Sequence, residues 1–158
     1  MMFDLSGRVA LVTGGGRGIG AGVAKALASQ GAAVVVNDFV AGSAEGTVQE
    51  IVDGGGKAIA APFDVTDYEA LATEIQRAEE AIGPIDILVN NAGGSPGGMW
   101  PMPFLETPIE KWPDFIGMNL YGVMNCSRAV IGGMAERGWG RLVSVSSDAA
   151  RTGSPGSS

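Results

Sequence analysis

The chain has no histidine and a single cysteine, Cys126. Those absences exclude Ser-His-Asp and Cys-His nucleophilic catalysis, a disulfide within the chain, and a zinc site built on nitrogen or sulfur. Basic residues are scarce as well. Ten Lys and Arg against 17 Asp and Glu give a formal charge of -7, so no basic stripe is available to displace counterions from nucleic-acid phosphates, and the negative charge reads as solubility. No apolar run reaches the ~20 residues of a membrane span. The segment Met1 to Arg8 lacks the basic-then-apolar order of a secretory signal. A cytoplasmic protein with neither a membrane nor a nucleic-acid partner is expected, and its chemistry must use hydroxyls, amides, carboxylates or a cofactor. With 46% hydrophobic and 17% charged residues, positions 1–158 suffice for one domain with a real core.

Glycine, in contrast, is abundant at 26 residues, and it is concentrated in Thr13-Gly14-Gly15-Gly16-Arg17-Gly18-Ile19-Gly20. This segment follows the apolar run Val9 to Val12 and opens a helical pattern, the placement that a dinucleotide pyrophosphate needs at a strand-to-helix turn. Glycines at 14, 18 and 20 permit a tight turn and close approach of backbone to phosphate, with N–H groups at the helix start facing the negative charge. The spacing Gly-x-x-x-Gly-x-Gly differs from Gly-x-Gly-x-x-Gly, and no Gly-Lys-Ser/Thr follows, which argues against a triphosphate-binding loop. Asp38 ends the next apolar run, about twenty residues further on, where a carboxylate can accept both hydroxyls of an adenosine ribose.

Short β-branched runs alternate with helical patterns: strands over 9–12, 33–37, 58–63, 85–90 and 141–145, and helices over 18–30, 43–53, 67–82 and 114–137. That order predicts a doubly wound α/β fold, Rossmann-like, with a parallel sheet in strand order 3-2-1-4-5 and ligands at the carboxyl ends of the strands. In the third helix Leu71, Ile75, Ala78 and Ile82 form one apolar stripe, while Glu74, Arg77 and Glu80 face water. Thr66 to Glu69 reads as its capping box, and Cys126 as a small core residue of the last helix. The Gly/Pro-rich stretch from Gly93 to Pro103 carries Met99, Trp100, Met102 and Phe104, either as an apolar lip over a substrate or as local packing.

Thr13-Gly14-x-x-x-Gly18-Ile19-Gly20 resembles the turn of the short-chain dehydrogenase/reductase family, and three later motifs strengthen the resemblance. Asp64-Val65, after the third strand, is similar to the family's adenine-pocket pair. Asn90-Asn91-Ala92-Gly93 is identical to its Asn-Asn-Ala-Gly. Gly140 to Ser147 resembles its fifth strand and catalytic serine, with Ser147 as the match. The four stand in the right order on the right predicted elements. Asn119, in Met118-Asn119-Leu120-Tyr121-Gly122, matches the asparagine of the family's central helix.

The resemblance implies an NAD(P)-dependent oxidoreductase that interconverts an alcohol and a carbonyl by hydride transfer. It implies cofactor contacts at Gly14, Gly16, Arg17, Gly18, Ile19, Gly20, Asp38, Asp64, Val65, Asn91, Ala92 and Gly93. Ser147 is implied as donor to the substrate carbonyl oxygen, Asn119 as holder of a water in a proton relay, and no metal is implied. Asp38 favours NAD(H), because a 2'-phosphate would face its carboxylate. Arg17 weighs the other way, since a basic residue there often accompanies NADP in the family, and it leaves an NADP-dependent 3-oxoacyl thioester reductase as the alternative. The family's Tyr-x-x-x-Lys, its proton donor and the donor's lysine, would fall just beyond Ser158; neither Tyr68 nor Tyr121 can replace the tyrosine. The residues therefore read as a portion of such an enzyme that stops before this motif, with a homo-oligomeric full-length form and a small-molecule substrate expected. A non-catalytic nucleotide-binding fragment is the reading from a different class, and Ser147 and Asn119 argue against it.

Overall fold

Short β-branched runs build the centre of a five-stranded parallel sheet. β1 (Val9–Val12) lies between β2 (Ala33–Val36) and β4 (Ile87–Asn90), with β3 (Lys57–Ala60) and β5 (Arg141–Ser144) outside, so the order is β3-β2-β1-β4-β5. This is the order read from the sequence. The structure, a computed structural model, describes residues 3–95 and 103–148. Met99, Trp100, Met102 and the segment 153–158 lie outside those residues. Register is even across the centre, pairing Val12 with Val36 and Val89, and Asn90 with Ser144.

Because successive strand residues point to opposite faces, the central strands feed two cores. Val9, Leu11, Val35 and Leu88 pack with α3 (Tyr68–Ile82) through Leu71, Ile75 and Ala78, and with α5 (Gly122–Glu136) through Cys126, Val130 and Met134. Ala10, Val12, Val34, Val36 and Val89 face the other way, toward Ala24 of α1 (Gly18–Ser29) and Ala44 and Ile51 of α2 (Ala41–Asp53). Apolar character on both faces of β1, β2 and β4 follows from helices covering both sides. β5 is one of the two edge strands, and its Leu142 and Val143 remain 42% and 50% exposed.

Several boundaries differ from the sequence reading, each for a local reason. β3 ends at Ala60 because the carbonyls of Ala61 and Phe63 turn to the Asn37 side-chain amide. β4 starts at Ile87, since the Ile85 N–H is taken by the Glu79 carboxylate. The cap of α3 is Asp67, whose side chain accepts from the Ala70 N–H, while Thr66 donates to Asp64 instead; the expected Thr66–Glu69 box does not form. The last helical course begins earlier than position 114, as α4 (Trp112–Ile116), because Pro113 in a first turn sacrifices no hydrogen bond. It passes through a π-helical turn (Gly117–Tyr121) before continuing as α5. Phe104, in a 3-10 turn, stacks on Trp112 with ring centroids 5.7 Å apart while staying 62% exposed.

At the opposite ends of the strands, Asp86 is buried and accepts from the Val9 N–H at 3.3 Å. Arg8 and Arg137 stand 3.7 and 3.8 Å from its other oxygen. Asp86→Ala should leave that N–H without its acceptor and Arg8 and Arg137 without their counter-charge, and lower unfolding free energy by about 2–4 kcal/mol. Breaking the exposed Lys25–Glu50 pair with Lys25→Ala should cost less than about 1 kcal/mol; urea unfolding of the two variants checks the contrast. Burial of Cys126 pushes its thiol up to about 12. Near pH 8 a soluble alkylating reagent should label it only as fast as the chain opens, so a labelling rate that follows denaturant concentration is expected.

Candidate functional site at the carboxyl edge of the sheet

Thr13 directly follows β1 and is almost fully buried. Its backbone N–H donates to the Val89 carbonyl at 3.0 Å, as in the strand ladder. Its hydroxyl then accepts from the N–H groups of Asn91 and Ala92, both at 3.0 Å, and donates toward Val89 O at 3.4 Å. One hydroxyl thus fixes the first residues after β4. The Asn91 side chain returns the connection, donating to the carbonyls of Thr13 and Gly14 at 2.9 and 3.1 Å. The turn after β1 and the loop after β4 are joined by at least four polar contacts, which is what the paired asparagines of the sequence are placed to do.

That joining leaves no room for side chains between the two segments. Gly14 has φ +60°, and a Cβ there would lie 3.1 Å from Ala92 Cα. A Cβ on Gly20 would collide with the Gly14 carbonyl and lie 2.5 Å from the Asn91 amide nitrogen. Backbone therefore packs on backbone. α1 opens at Gly18, and the N–H groups of its first turn have no preceding helical carbonyl to bond. Arg17, Gly18 and Ile19 are exposed at that end, with Arg17 in the N-cap position.

Asn37, one residue past β2, is a site residue that the sequence reading overlooked. It is 1% exposed. Its amide nitrogen donates to the carbonyls of Ala61 and Phe63, both at 3.0 Å, and its side-chain oxygen accepts from Gly14 N–H at 3.3 Å. Its backbone adds a bond from Gly15 N–H to Asn37 O at 2.6 Å. The ends of β1, β2 and β3 are tied through this single side chain. The available signal was a polar residue closing the apolar run Val34 to Val36, where the amide supplies two donors and an acceptor to diverging backbone.

Asp38 follows, 7% exposed, with Oδ2 accepting from Gly16 N–H at 3.2 Å and Oδ1 from Val40 N–H at 3.0 Å. Beyond β3, the half-buried Asp64 accepts from both the N–H and the hydroxyl of Thr66 at 2.8 Å through one oxygen. Val65 beside it is buried, packs on Gly122, and its carbonyl accepts from the Asn125 amide at 3.1 Å.

Asn119 lies in the π-helical turn. Its amide oxygen accepts from Gly94 N–H at 2.8 Å, and its nitrogen donates to Gly94 O at 2.9 Å and Phe115 O at 3.0 Å. The side chain pairs with Gly94 as a neighbouring strand would, and it packs on Gly93. A lone π turn in an otherwise α-helical course commonly marks a functional segment. Ser147 lies three residues past β5, exposed, at the same edge of the sheet as the four preceding strand ends. Asn90, at the end of β4, is buried and donates to the Ser127 hydroxyl at 3.3 Å. No group of three or more His, Cys, Asp or Glu that could hold a metal occurs among the described residues, and no helix there is long and apolar enough to cross a membrane.

Thr13→Val keeps the shape of the side chain and removes the hydroxyl, leaving the N–H groups of Asn91 and Ala92 without their acceptor. The expected loss is about 2–3 kcal/mol of stability, with a larger share of the effect on hydrogen exchange in residues 91–94 than in α3. Thr13→Ser should restore most of both.

Comparison with known proteins agrees with this geometry. The family model of the short chain dehydrogenases matches residues 8–158. The 5-keto-D-gluconate 5-reductase of Escherichia coli is 38% identical over 146 residues, 92% of this chain and 56% of that protein. Among solved structures, a gluconate 5-dehydrogenase from Burkholderia cenocepacia in complex with NADP and tartrate superposes with a TM-score of 0.90 at 36% identity, over 99% of this chain and 60% of that one. A 7 alpha-hydroxysteroid dehydrogenase complexed with NADH and 7-oxo glycochenodeoxycholic acid gives 0.89 at 35% identity, over 97% and 58%. The chain spans about half the length of the curated relatives it matches. From its sheet order, its Gly-rich turn and this match across nearly all its residues, the chain belongs to the short-chain dehydrogenase/reductase family.

Proposed function

We propose that residues 1–158 form one dinucleotide-binding domain of an enzyme that interconverts a small-molecule alcohol and its carbonyl with NAD(H). The observation that carries the reading is the edge where the Gly14–Gly20 turn, Asp38 and the Asn91–Gly93 loop are locked together by Thr13, Asn37 and Asn91. A nicotinamide dinucleotide suits this edge. The turn presents bare backbone where a Cβ would intrude, and a helix start follows it. The bound cofactor supplies or accepts the hydride.

The chain's own residues do the rest. Asp38 accepts the adenosine ribose hydroxyls, and Asp64 and Val65 flank the adenine. The Asn91–Gly93 backbone passes close to the cofactor, with Gly94 held by Asn119. Ser147 donates to the substrate carbonyl oxygen, stabilising the charge that develops there as hydride is transferred. Asn119 is a positioning residue, acting through the loop it clamps. Homo-oligomerisation of the full-length protein falls on the long helical course, where Trp112, Ile116, Leu120, Met124 and Ile131 form an exposed apolar stripe.

A second reading, an NADP-dependent 3-oxoacyl thioester reductase, draws support from Arg17 exposed at the start of α1. The two readings separate by affinity. NADH should bind the full-length protein more tightly than NADPH, and Asp38→Ala should narrow that preference by about tenfold or more. Tighter NADPH binding by the unsubstituted protein sinks the NAD assignment. Ser147→Ala should lower kcat by roughly 10²–10³ with nucleotide affinity unchanged, read from initial rates in nicotinamide absorbance.

A further inference from the structure

Gly15 and Gly16 are the glycines of the turn that the phosphate argument leaves unexplained, and of the two it is Gly16 that adjoins Asp38. Its φ is not among the positive values that mark Gly14 and Gly18, so its backbone conformation is open to any residue. What forbids a side chain there is its surroundings. A Cβ on Gly16 would lie 2.6 Å from Ser43 Cβ, 2.8 Å from Ser43 carbonyl carbon and 2.7 Å from Asp38 Oδ2. Neither neighbour belongs to the phosphate-binding backbone: Ser43 lies in the first turn of α2, and Asp38 is the carboxylate at the end of β2.

The polar contacts point the same way. Gly16 N–H donates to Asp38 Oδ2 at 3.2 Å while Val40 N–H donates to Oδ1 at 3.0 Å, and Asp38 is 7% exposed. Each oxygen is held by one backbone donor and keeps a further lone pair, the capacity that a vicinal diol with two O–H donors needs. A phosphate on one of those hydroxyls would instead meet a negative charge held in place by those two backbone donors.

Resting on the NAD(H) reading, we propose that Gly16 is a specificity-determining residue: by lacking a side chain it lets Asp38 and the start of α2 close on the turn, so that the carboxylate is fixed to accept a ribose diol and a 2'-phosphate is excluded. Gly16 and Asp38 act as one unit. A side chain at 16 is therefore expected to remove the discrimination that Asp38 provides even though Asp38 is still present.

The test is a double-mutant cycle in the full-length protein, with NADH and NADPH dissociation constants read by fluorescence titration of the reduced nucleotide. Gly16→Ala should weaken NADH by about tenfold and leave NADPH unchanged or tighter. In an Asp38→Ala background the same substitution should change NADH affinity by less than about twofold, because the group it acts through is gone. Equal weakening of both nucleotides by Gly16→Ala, or the same NADH loss with and without Asp38, overturns the inference by reducing Gly16 to an ordinary part of the phosphate turn. Should Gly16→Ala fail to fold, exchange of the Gly16 amide in the unsubstituted protein decides the matter. Saturating NADH should slow that exchange and saturating NADPH should not, and equal slowing by both overturns the inference. Unsubstituted protein that prefers NADPH overturns the NAD(H) reading and with it the exclusion of a 2'-phosphate, whereas the cycle reports separately whether Gly16 acts through Asp38.

Discussion

Where the five parallel strands end, their backbone groups stop facing one another, and every buried N–H and carbonyl freed there must find another partner. The strands diverge because sheets twist, so the ladder cannot simply continue. In this chain the partners are side chains that imitate a peptide group. Asn37, Asn91 and Asn119 each carry an amide, and each bonds only to backbone: Asn37 to Gly14, Ala61 and Phe63, Asn91 to Thr13 and Gly14, Asn119 to Gly94 and Phe115. Thr13 contributes a hydroxyl that both accepts and donates. The carboxyl edge of the sheet is held by short polar side chains in place of a ladder.

The same solution makes the edge able to receive a ligand. Apolar side chains could fill the gap between diverging strands, but they would leave the freed backbone groups unsatisfied at about 1–3 kcal/mol each. Amides satisfy those groups while keeping the backbone itself at the surface of that edge. Gly14 and Gly20 extend the arrangement, since backbone can lie on backbone only where no Cβ intervenes. A preorganised row of turn and loop backbone results, and its rigidity comes from groups one layer behind the surface that a cofactor would meet.

The sequence carried most of the architecture. Short continuous β-branched runs such as Val34 to Val36 and the period-3.6 stripe of Leu71, Ile75, Ala78 and Ile82 indicated the elements, and the order of elements indicated the parallel sheet. Asp38 and the Asn91–Gly93 loop could be placed because motif spacing and strand ends coincide. What escaped notice was identity-dependent bonding across large sequence separation. Nothing local to Asn37 shows that it reaches Ala61 and Phe63, and Thr66 and Asp67 are equally good caps by composition until Asp64 engages Thr66. The π turn was invisible for a different reason: hydropathy records which face a residue takes, but not which carbonyl its N–H bonds.

That π turn links packing to the site. Gly122, Cys126, Val130 and Met134, at four-residue steps, form the buried face of α5. Seven residues is close to two α-helical turns, so in an unbroken α-helix Asn119 would lie nearly above Cys126 and project into the same apolar core, where an amide has no partners. The wider turn at Gly117–Tyr121 takes up an extra residue and shifts that phase, so Asn119 stands beside Gly94 while the stripe after it stays on the sheet. One helical course thereby serves two masters, a core that demands apolar regularity and a loop that demands an amide. The irregular hydrogen bonding of a single turn is the cost of meeting both.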